Sequence, residues 1–300
     1  MSHSHHHPVN NYNRAFAIGI GLNLIFVVIE ASYGILADSL ALIADAGHNL
    51  SDVLSLLLAW GANRLATRPS SAMRTYGLRR VTILASLVSA VLLLLALGAI
   101  GWEALGRLFD PQPVEGRIII IVASIGVVIN SVTAWLFMDG QKHDLNIRAA
   151  YLHMAADAGI SLGVVIAGLI ILFSGWLWID PLLSLVIVLV ILIGTWQLLR
   201  ESLNLSVDAV PQGTDMQAIR DYLHSIRPVI QLHDLHVWAL STTETALTVH
   251  LVIDHTTIDN AFLLEIQQHL HDYFDIEHST IQIENGSEEN CCMLNRSECI

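Results

Sequence analysis

Charge is scarce in this chain. Of its 300 residues, 14% are Asp, Glu, Lys or Arg and 54% are hydrophobic, and the mean hydropathy is +0.58. A soluble globular domain carries about a quarter charged residues. The shortage falls in the first two thirds, where long apolar runs recur, so one soluble domain is excluded and a membrane protein is indicated. Basic residues are the rarer sign, 14 against 27 acidic ones, for a net charge of −13. No basic patch is expected, and with it no nucleic-acid partner. Cysteine is almost missing: Cys291, Cys292 and Cys299 all fall in the last ten residues. No disulfide framework holds the fold, and such a cluster reads as metal ligands or as reducible thiols on a cytoplasmic tail. The polar N-terminus, residues 1–13, lacks a cleavable signal pattern. Histidine, by contrast, is plentiful, with 15 copies. His3, His5, His6 and His7 read either as a metal-collecting tail or as a cloning remnant.

An apolar helix needs about 20 residues to cross a bilayer. Six stretches qualify: 14–36, 39–65, 81–108, 117–138, 147–173 and 177–199. Pro111 and Pro113 break the third connection, and Gly175 marks a tight turn between the fifth and sixth spans. Arg64, Arg68, Arg74, Arg79 and Arg80 crowd the second-to-third connection, Lys142 and Arg148 flank the fourth-to-fifth, and Arg200 follows the sixth span. Only Arg107 and Arg117 stand on the other side. Basic loops stay in the cytoplasm, so both termini are expected there. The lipid bilayer is the chain's surrounding partner.

After Ser206 the composition becomes that of a soluble domain. Helix is expected over 215–226 and 258–274, and strand over 235–240, 245–254 and 279–284. In the second strand Leu247, Val249, Leu251 and Ile253 alternate onto one face. The order helix–strand–strand–helix–strand predicts a small α+β domain. The expected division is a His-containing tail (1–13), a six-helix transmembrane domain (14–205), a cytoplasmic α+β domain (206–286) and a Cys-containing tail (287–300).

Two spans carry one motif: His48-Asn49-Leu50-Ser51-Asp52 in the second, His153-Met154-Ala155-Ala156-Asp157 in the fifth. Residues four apart stack on one helix face. Each pair thus presents an imidazole and a carboxylate in one direction, and two such helices surround a point with two nitrogens and two oxygens. Zn²⁺ prefers such tetrahedral ligation. Ionisable groups at membrane depth are costly and mark functional paths. Imidazole and carboxylate without thiolate suit Zn²⁺ and tolerate Co²⁺, Cd²⁺ or Ni²⁺, and the absence of cysteine from all six spans suits passage better than storage. Asp45 shares the stripe of His48 and is placed to tune the site from just outside it. Asn23 and Asn130 read as partners of that site or as hydrogen bonds between helices. Glu30 reads as a proton-relay group or as an interfacial carboxylate. Gly19, Gly21, Gly159 and Gly163 are expected to let helices approach closely.

At these residues the chain resembles the cation diffusion facilitator family, and within it the bacterial zinc exporters of the ZitB/CzcD type. The resemblance rests on Ser39-Leu40-Ala41-Leu42-Ile43-Ala44-Asp45-Ala46-Gly47-His48 with Asp52, and on 145–150 leading to His153 and Asp157. It continues in His233-Asp234-Leu235-His236-Val237-Trp238 and in Glu277-His278-Ser279-Thr280-Ile281-Gln282. It covers about residues 14–284. It implies a homodimer in a bacterial inner membrane, alternating access, and exchange of Zn²⁺ for H⁺. It assigns the transport site to His48, Asp52, His153 and Asp157, and gives the C-terminal domain a metallochaperone-like, ferredoxin-like fold. That domain's zinc falls to His233, His250 and Glu284, with His250, Gln282 and Glu284 on the strand faces opposite the apolar residues. His278 with Cys291 and Cys292 would complete a second site, as tail cysteines do in some relatives. Two departures stand out. The second-to-third connection has no His, Asp or Glu, so no site is expected there, and the fourth-to-fifth is short, with only His143 and Asp144.

Imidazole titrates near neutrality, and a metal needs it neutral and the carboxylates ionised. Proton entry from outside would therefore expel the metal. Two rivals are an intramembrane metal-dependent hydrolase and a membrane metal sensor that does not transport. The first lacks a His-Glu-x-x-His motif and an evident base. The second has no need of an intramembrane site. The expectation is a transporter, not an enzyme.

Overall fold

The computed structural model describes residues 13–138, 145–254 and 259–285. The N-terminal histidines, His143, Asp144 and the three cysteines lie outside them. Six long helices come first: α1 (Asn13–Leu36), α2 (Leu40–Ala66), α3 (Val81–Phe109), α4 (Gly116–Phe137), α5 (Leu145–Ser174) and α6 (Ile179–Ser206). Among the described residues four segments are long and apolar enough to cross a membrane: Val81–Phe109, Gly116–Leu136, Tyr151–Ser174 and Ile179–Ser206. Gly21–Leu36 is a shorter apolar helix. α2 carries Asp45, His48, Asn49 and Asp52 in its first half, which lowers its hydropathy where the chemistry is.

The breaks follow local chemistry. Asp38 and Gly175, both with positive φ, turn the chain after α1 and α5. Pro181 lies in the first turn of α6, where its missing N–H costs no bond. Asp180 beside it is buried and caps α2 from across the bundle. It accepts from Ser39 Oγ at 2.5 Å, Leu40 N at 2.9 Å and Ala41 N at 3.3 Å.

The chain divides into two compact units. The first takes residues 1–57 and 89–196. Phe26, Leu42, Leu97, Ile119, Val164 and Ile187 lie in its core, while Ile25, Val28, Leu95 and Ile193 point outward. α4 packs most extensively on α5, and α1 on α4. The close approaches are made at Gly126 and Gly168. A Cβ on Gly126 would stand 2.6 Å from the Phe26 ring, and one on Gly168 2.9 Å from Ile120. Gly21, Gly159 and Gly163, expected to serve this purpose, have open space where a Cβ would stand.

The second unit takes residues 58–88 and 197–300. Its sheet is three-stranded and mixed: β1 (Val229–Ala239) runs antiparallel to β2 (Thr245–Ile253), which runs parallel to β3 (Ile276–Asn285). The helix–strand–strand–helix–strand order is one strand short of a βαββαβ unit. α7 (Met216–Ser225) is capped by Asp215 and α8 (Asn260–Phe274) by Asp259, each accepting from backbone N–H groups of the first turn. α8 ends at Asp275, left-handed at φ 54, and supplies the crossover to β3. Ile219, Leu223, Leu247, Leu251, Ile266 and Leu270 form the core. Strands β1 and β3 begin earlier than expected, because pairing with β2 extends them to Val229 and Ile276. The α2–α3 connection belongs to this unit through Arg79–Glu244 (3.2 Å), Arg80–Asp208 (2.6 Å) and Thr242 N to Thr82 Oγ1 (3.0 Å).

Candidate metal sites

In the first unit α2 and α5 bring the two His-x-x-x-Asp motifs together. His48 Nε2 lies 3.2 Å from Asp157 Oδ1, and His153 Nε2 lies 3.6 Å from Asp157 Oδ2. The two imidazole rings meet edge to face, centroids 6.0 Å apart. Asp157 is buried, with 1% of its surface exposed, whereas His153 is open on one side. The Asp52 side chain lies outside the described residues, although its backbone follows His48 by one turn of α2. Two of the expected ligands, His48 and His153, thus converge on a third, the buried carboxylate of Asp157.

The groups behind them are polar and buried. Asp45 Oδ2 accepts from Ser161 Oγ at 3.0 Å, so the residue that stacks over His48 is tied to the residue one turn after Asp157. Asn49 Nδ2 donates to Glu30 Oε2 at 3.2 Å. Glu30 has no exposed surface, which places it inside the bundle and not at an interface. Asn23 Nδ2 contacts Met154 Sδ at 3.6 Å, linking α1 to α5. Asn130 is buried, and both its amide atoms lack a hydrogen-bond partner among the described residues. Ser161 and Asn49 had drawn no attention in the sequence. The only signal for Ser161 was its spacing of four from Asp157.

The second site lies on the sheet. His233 on β1 stands directly opposite His250 on β2, and Glu284 projects from β3. His233 Nε2 is 3.1 Å from Glu284 Oε2, and His250 Nδ1 is 2.8 Å from Glu284 Oε1. Among the described residues these three alone hold their ligand atoms all within 4.8 Å of one another. Two imidazoles and a carboxylate form a donor set that fits Zn²⁺, with a fourth position open. Burial pushes the Glu284 carboxyl up. Hydrogen bonds and charge from His233 and His250 outweigh it and hold the group below its ordinary range. Gln282, on the same face, donates to Glu284 Oε1 at 3.1 Å.

Asp234 escaped the sequence reading. A register shift between His233 and His236 puts it at φ 53, and its carboxylate reaches 2.9 Å from His236 Nε2 and 3.6 Å from His250 Nε2. Its signal was the His-Asp-x-His run, in which the aspartate fell out of the strand alternation. His278 is not drawn to this site. It sits six residues before Glu284, about 20 Å along the strand, with its ring against Tyr76 at 5.4 Å.

Residues 16–205 match the cation efflux transmembrane domain, and residues 211–286 match the cation efflux protein cytoplasmic domain. The chain is 38% identical to the metal cation efflux system protein CzcD of Cupriavidus metallidurans over 94% of its own length and 89% of that protein. It is 37% identical to the zinc transporter ZitB of Escherichia coli, covering 95% and 93%. It is 33% identical to the cadmium, cobalt and zinc/H(+)-K(+) antiporter of Bacillus subtilis, covering 97% and 94%. A solved structure, the metal-bound C-terminal domain of the CzcD transporter, is 39% identical, covers 24% of this chain and 99% of its own, and has a TM-score of 0.23. With both domains matched in order and relatives aligned nearly end to end, the chain belongs to the cation efflux family of metal transporters, the cation diffusion facilitators.

Proposed function

We propose that this protein exports Zn²⁺, and with lower preference Cd²⁺, Co²⁺ or Ni²⁺, from the cytoplasm in exchange for H⁺. The observation that carries the reading is the convergence of His48 and His153, from two separate helices, on the buried carboxylate of Asp157. With Asp52 one turn beyond His48, the four side chains offer two nitrogens and two oxygens to a metal in transit. Such a site takes the metal only when its imidazoles are neutral, so a proton arriving from outside displaces it and resets the carrier. Alternating access around a fixed site lets the two ions pass in opposite directions.

All six helices cross the bilayer on this reading, α1 and α2 by virtue of length and partial apolarity. The arginines at 64, 68, 74, 79 and 80 keep the α2–α3 connection in the cytoplasm, and with it both termini. The host membrane is a bacterial inner membrane, by analogy with the relatives above. The division proposed is a tail to residue 13, a transmembrane domain over 14–205, a cytoplasmic domain over 206–286 and a tail over 287–300. The cytoplasmic domain pairs two copies as a homodimer. His233, His250 and Glu284 hold a resident Zn²⁺ there, which cross-links the three strands; Cys291 and Cys292 with His278 are further candidates.

The test is flux. Full-length protein in liposomes with an acid lumen should take up Zn²⁺ and lose luminal protons in step. Zinc movement without any proton movement refutes the exchange, and no zinc movement at all refutes transport.

A further inference from the structure

Helices α4 and α5 pack in a fixed antiparallel register, marked by their small residues. A Cβ on Gly116 would stand 3.5 Å from Ile171 Cγ2, one on Gly168 3.0 Å from Ile119 Cγ2, and one on Gly126 3.1 Å from Ser161 Oγ. Each step along α4 is thus matched by an equal step back along α5. Asn130 lies one turn beyond Gly126, and Asp157 lies one turn before Ser161, so the register sets Asn130 opposite the ligand carboxylate. Both are buried, with 0% and 1% of their surface exposed. α1 closes the same layer from a third side. Its Phe26 lies against Gly126, and Asn23, one turn earlier, reaches Met154 Sδ on α5 at 3.6 Å. Within this layer the hydrogen bonding is incomplete. Asp157 Oδ1 faces His48 Nε2 at 3.2 Å. Asp157 Oδ2, 3.6 Å from His153 Nε2, has no hydrogen-bond partner among the described residues, and neither has Asn130 Nδ2. One helix thus brings a buried donor without an acceptor, and the facing position brings a buried acceptor without a donor. Such groups are rare in folded proteins and costly to leave unpaired.

Resting on the transport site proposed above, we infer that Asn130 is the positioning residue of that site: when the metal binds, its amide N–H holds Asp157 Oδ2 and leaves Oδ1 to the ion. Asn130 itself ligates nothing. An amide suits the task because it donates without charge. A lysine or arginine opposite Asp157 would repel the arriving cation, and α4 has neither after Arg117. In the metal-free chain the amide is unpaired, so the bond adds to metal affinity and not to the stability of the empty carrier. Ligating carboxylates are held by outer hydrogen bonds of this kind in metal sites generally. The bond also bears on which metal fits. A carboxylate held by one oxygen offers the ion only the other, which suits four-coordinate Zn²⁺. Released, it can grip with both oxygens, as larger ions with more ligands prefer. Asn130 thereby sets how many oxygens the site presents.

The experiment uses the full chain carrying His250→Ala, which opens the cytoplasmic triad so that added metal reports on the transport site. Calorimetry gives the Zn²⁺ and Cd²⁺ affinities with and without Asn130→Leu, and thermal unfolding gives the metal-free melting temperature. Asn130→Leu should weaken Zn²⁺ binding by about 10–100-fold and Cd²⁺ binding less. Its metal-free melting temperature should match or exceed that of the parent, since an apolar group of like size replaces an unpaired buried amide. Added to Asp157→Asn, Asn130→Leu should lower zinc affinity no further, because the two residues act as one unit. An unchanged zinc affinity overturns the inference. So do equal losses for the two metals, or a loss that adds in full to that of Asp157→Asn. If Asp157→Asn itself leaves zinc binding intact, the transport-site reading falls and this one with it. If Asp157→Asn weakens binding and Asn130→Leu does not, only the role of Asn130 is refuted. Asn130→Ala covers the case where the leucine variant does not insert, with the same outcomes expected for the two metals.

Discussion

Replacing Asp157 by Asn keeps the size of the side chain and one oxygen but removes the charge on which both histidines converge. The carboxylate is 1% exposed and lies 3.2 Å from His48 Nε2 and 3.6 Å from His153 Nε2. A divalent ion held there without it becomes a buried charge lacking a partner. Breaking such a buried pair costs about 3–5 kcal/mol. At about 1.4 kcal/mol per decade, the affinity for Zn²⁺ should fall by roughly 10²–10⁴-fold. The variant should insert and fold, since removing a buried charge relieves desolvation in the metal-free protein. Its melting temperature without metal should therefore match or exceed that of the wild type, while the rise produced by zinc through this site should vanish. Zinc flux into liposomes over a concentration series should show a KM raised by about the same factor. A KM within about threefold of the wild type, less than 1 kcal/mol, would mean that Asp157 does not ligate, and the transport site would have to be sought elsewhere.

Other expectations follow from distinct places in the molecule. His250→Ala opens the triad on the sheet, so the full-length protein should lose the zinc-induced stabilisation that belongs to the cytoplasmic site, about 2.7 kcal/mol at a hundredfold excess over Kd; calorimetry of variant and wild type with and without zinc decides it. Without metal, Glu284 titrates lower in the folded chain than its ordinary value of 4.5. Its contribution to stability is thus fully present above that value and is lost as pH falls through the lowered midpoint. Glu284→Gln should flatten the acid limb of the stability curve, and an unchanged limb in acid unfolding would contradict the assigned hydrogen bonds. Gly126→Ala forces a methyl to 2.6 Å from the buried Phe26 ring and should destabilise by about 1–3 kcal/mol. Gly159→Ala meets open space and should be neutral or stabilising. Equal melting points for the two alanine variants would refute the packing described for α1 and α4.

Much of this protein is written in short-range pattern. Apolar runs of more than 20 residues can satisfy their backbone only as helices in a bilayer, so α3–α6 were legible from composition. Two His-x-x-x-Asp spacings on separate runs declared a metal path before any packing was known, because a period near four puts both groups on one face. Alternation in β2 likewise put His250 opposite the apolar row. Other features depended on what each helix or strand meets. Small residues four apart at Gly159 and Gly163 promised a helix contact, but among the described residues nothing stands within 4 Å of a Cβ at either, and Gly168 and Gly126 make the contacts instead. Glu30 could have been interfacial by position alone. Its burial against Asn49 comes from the crossing of α1 with α2, which no local pattern encodes. The register of β1 on β2 sets His233 against His250, and a slip of one residue would turn one of them away. Residue type and spacing are properties of one chain segment and can be read there. Which polar atoms find partners depends on segments far apart in sequence, and that is settled only when the helices and strands pack.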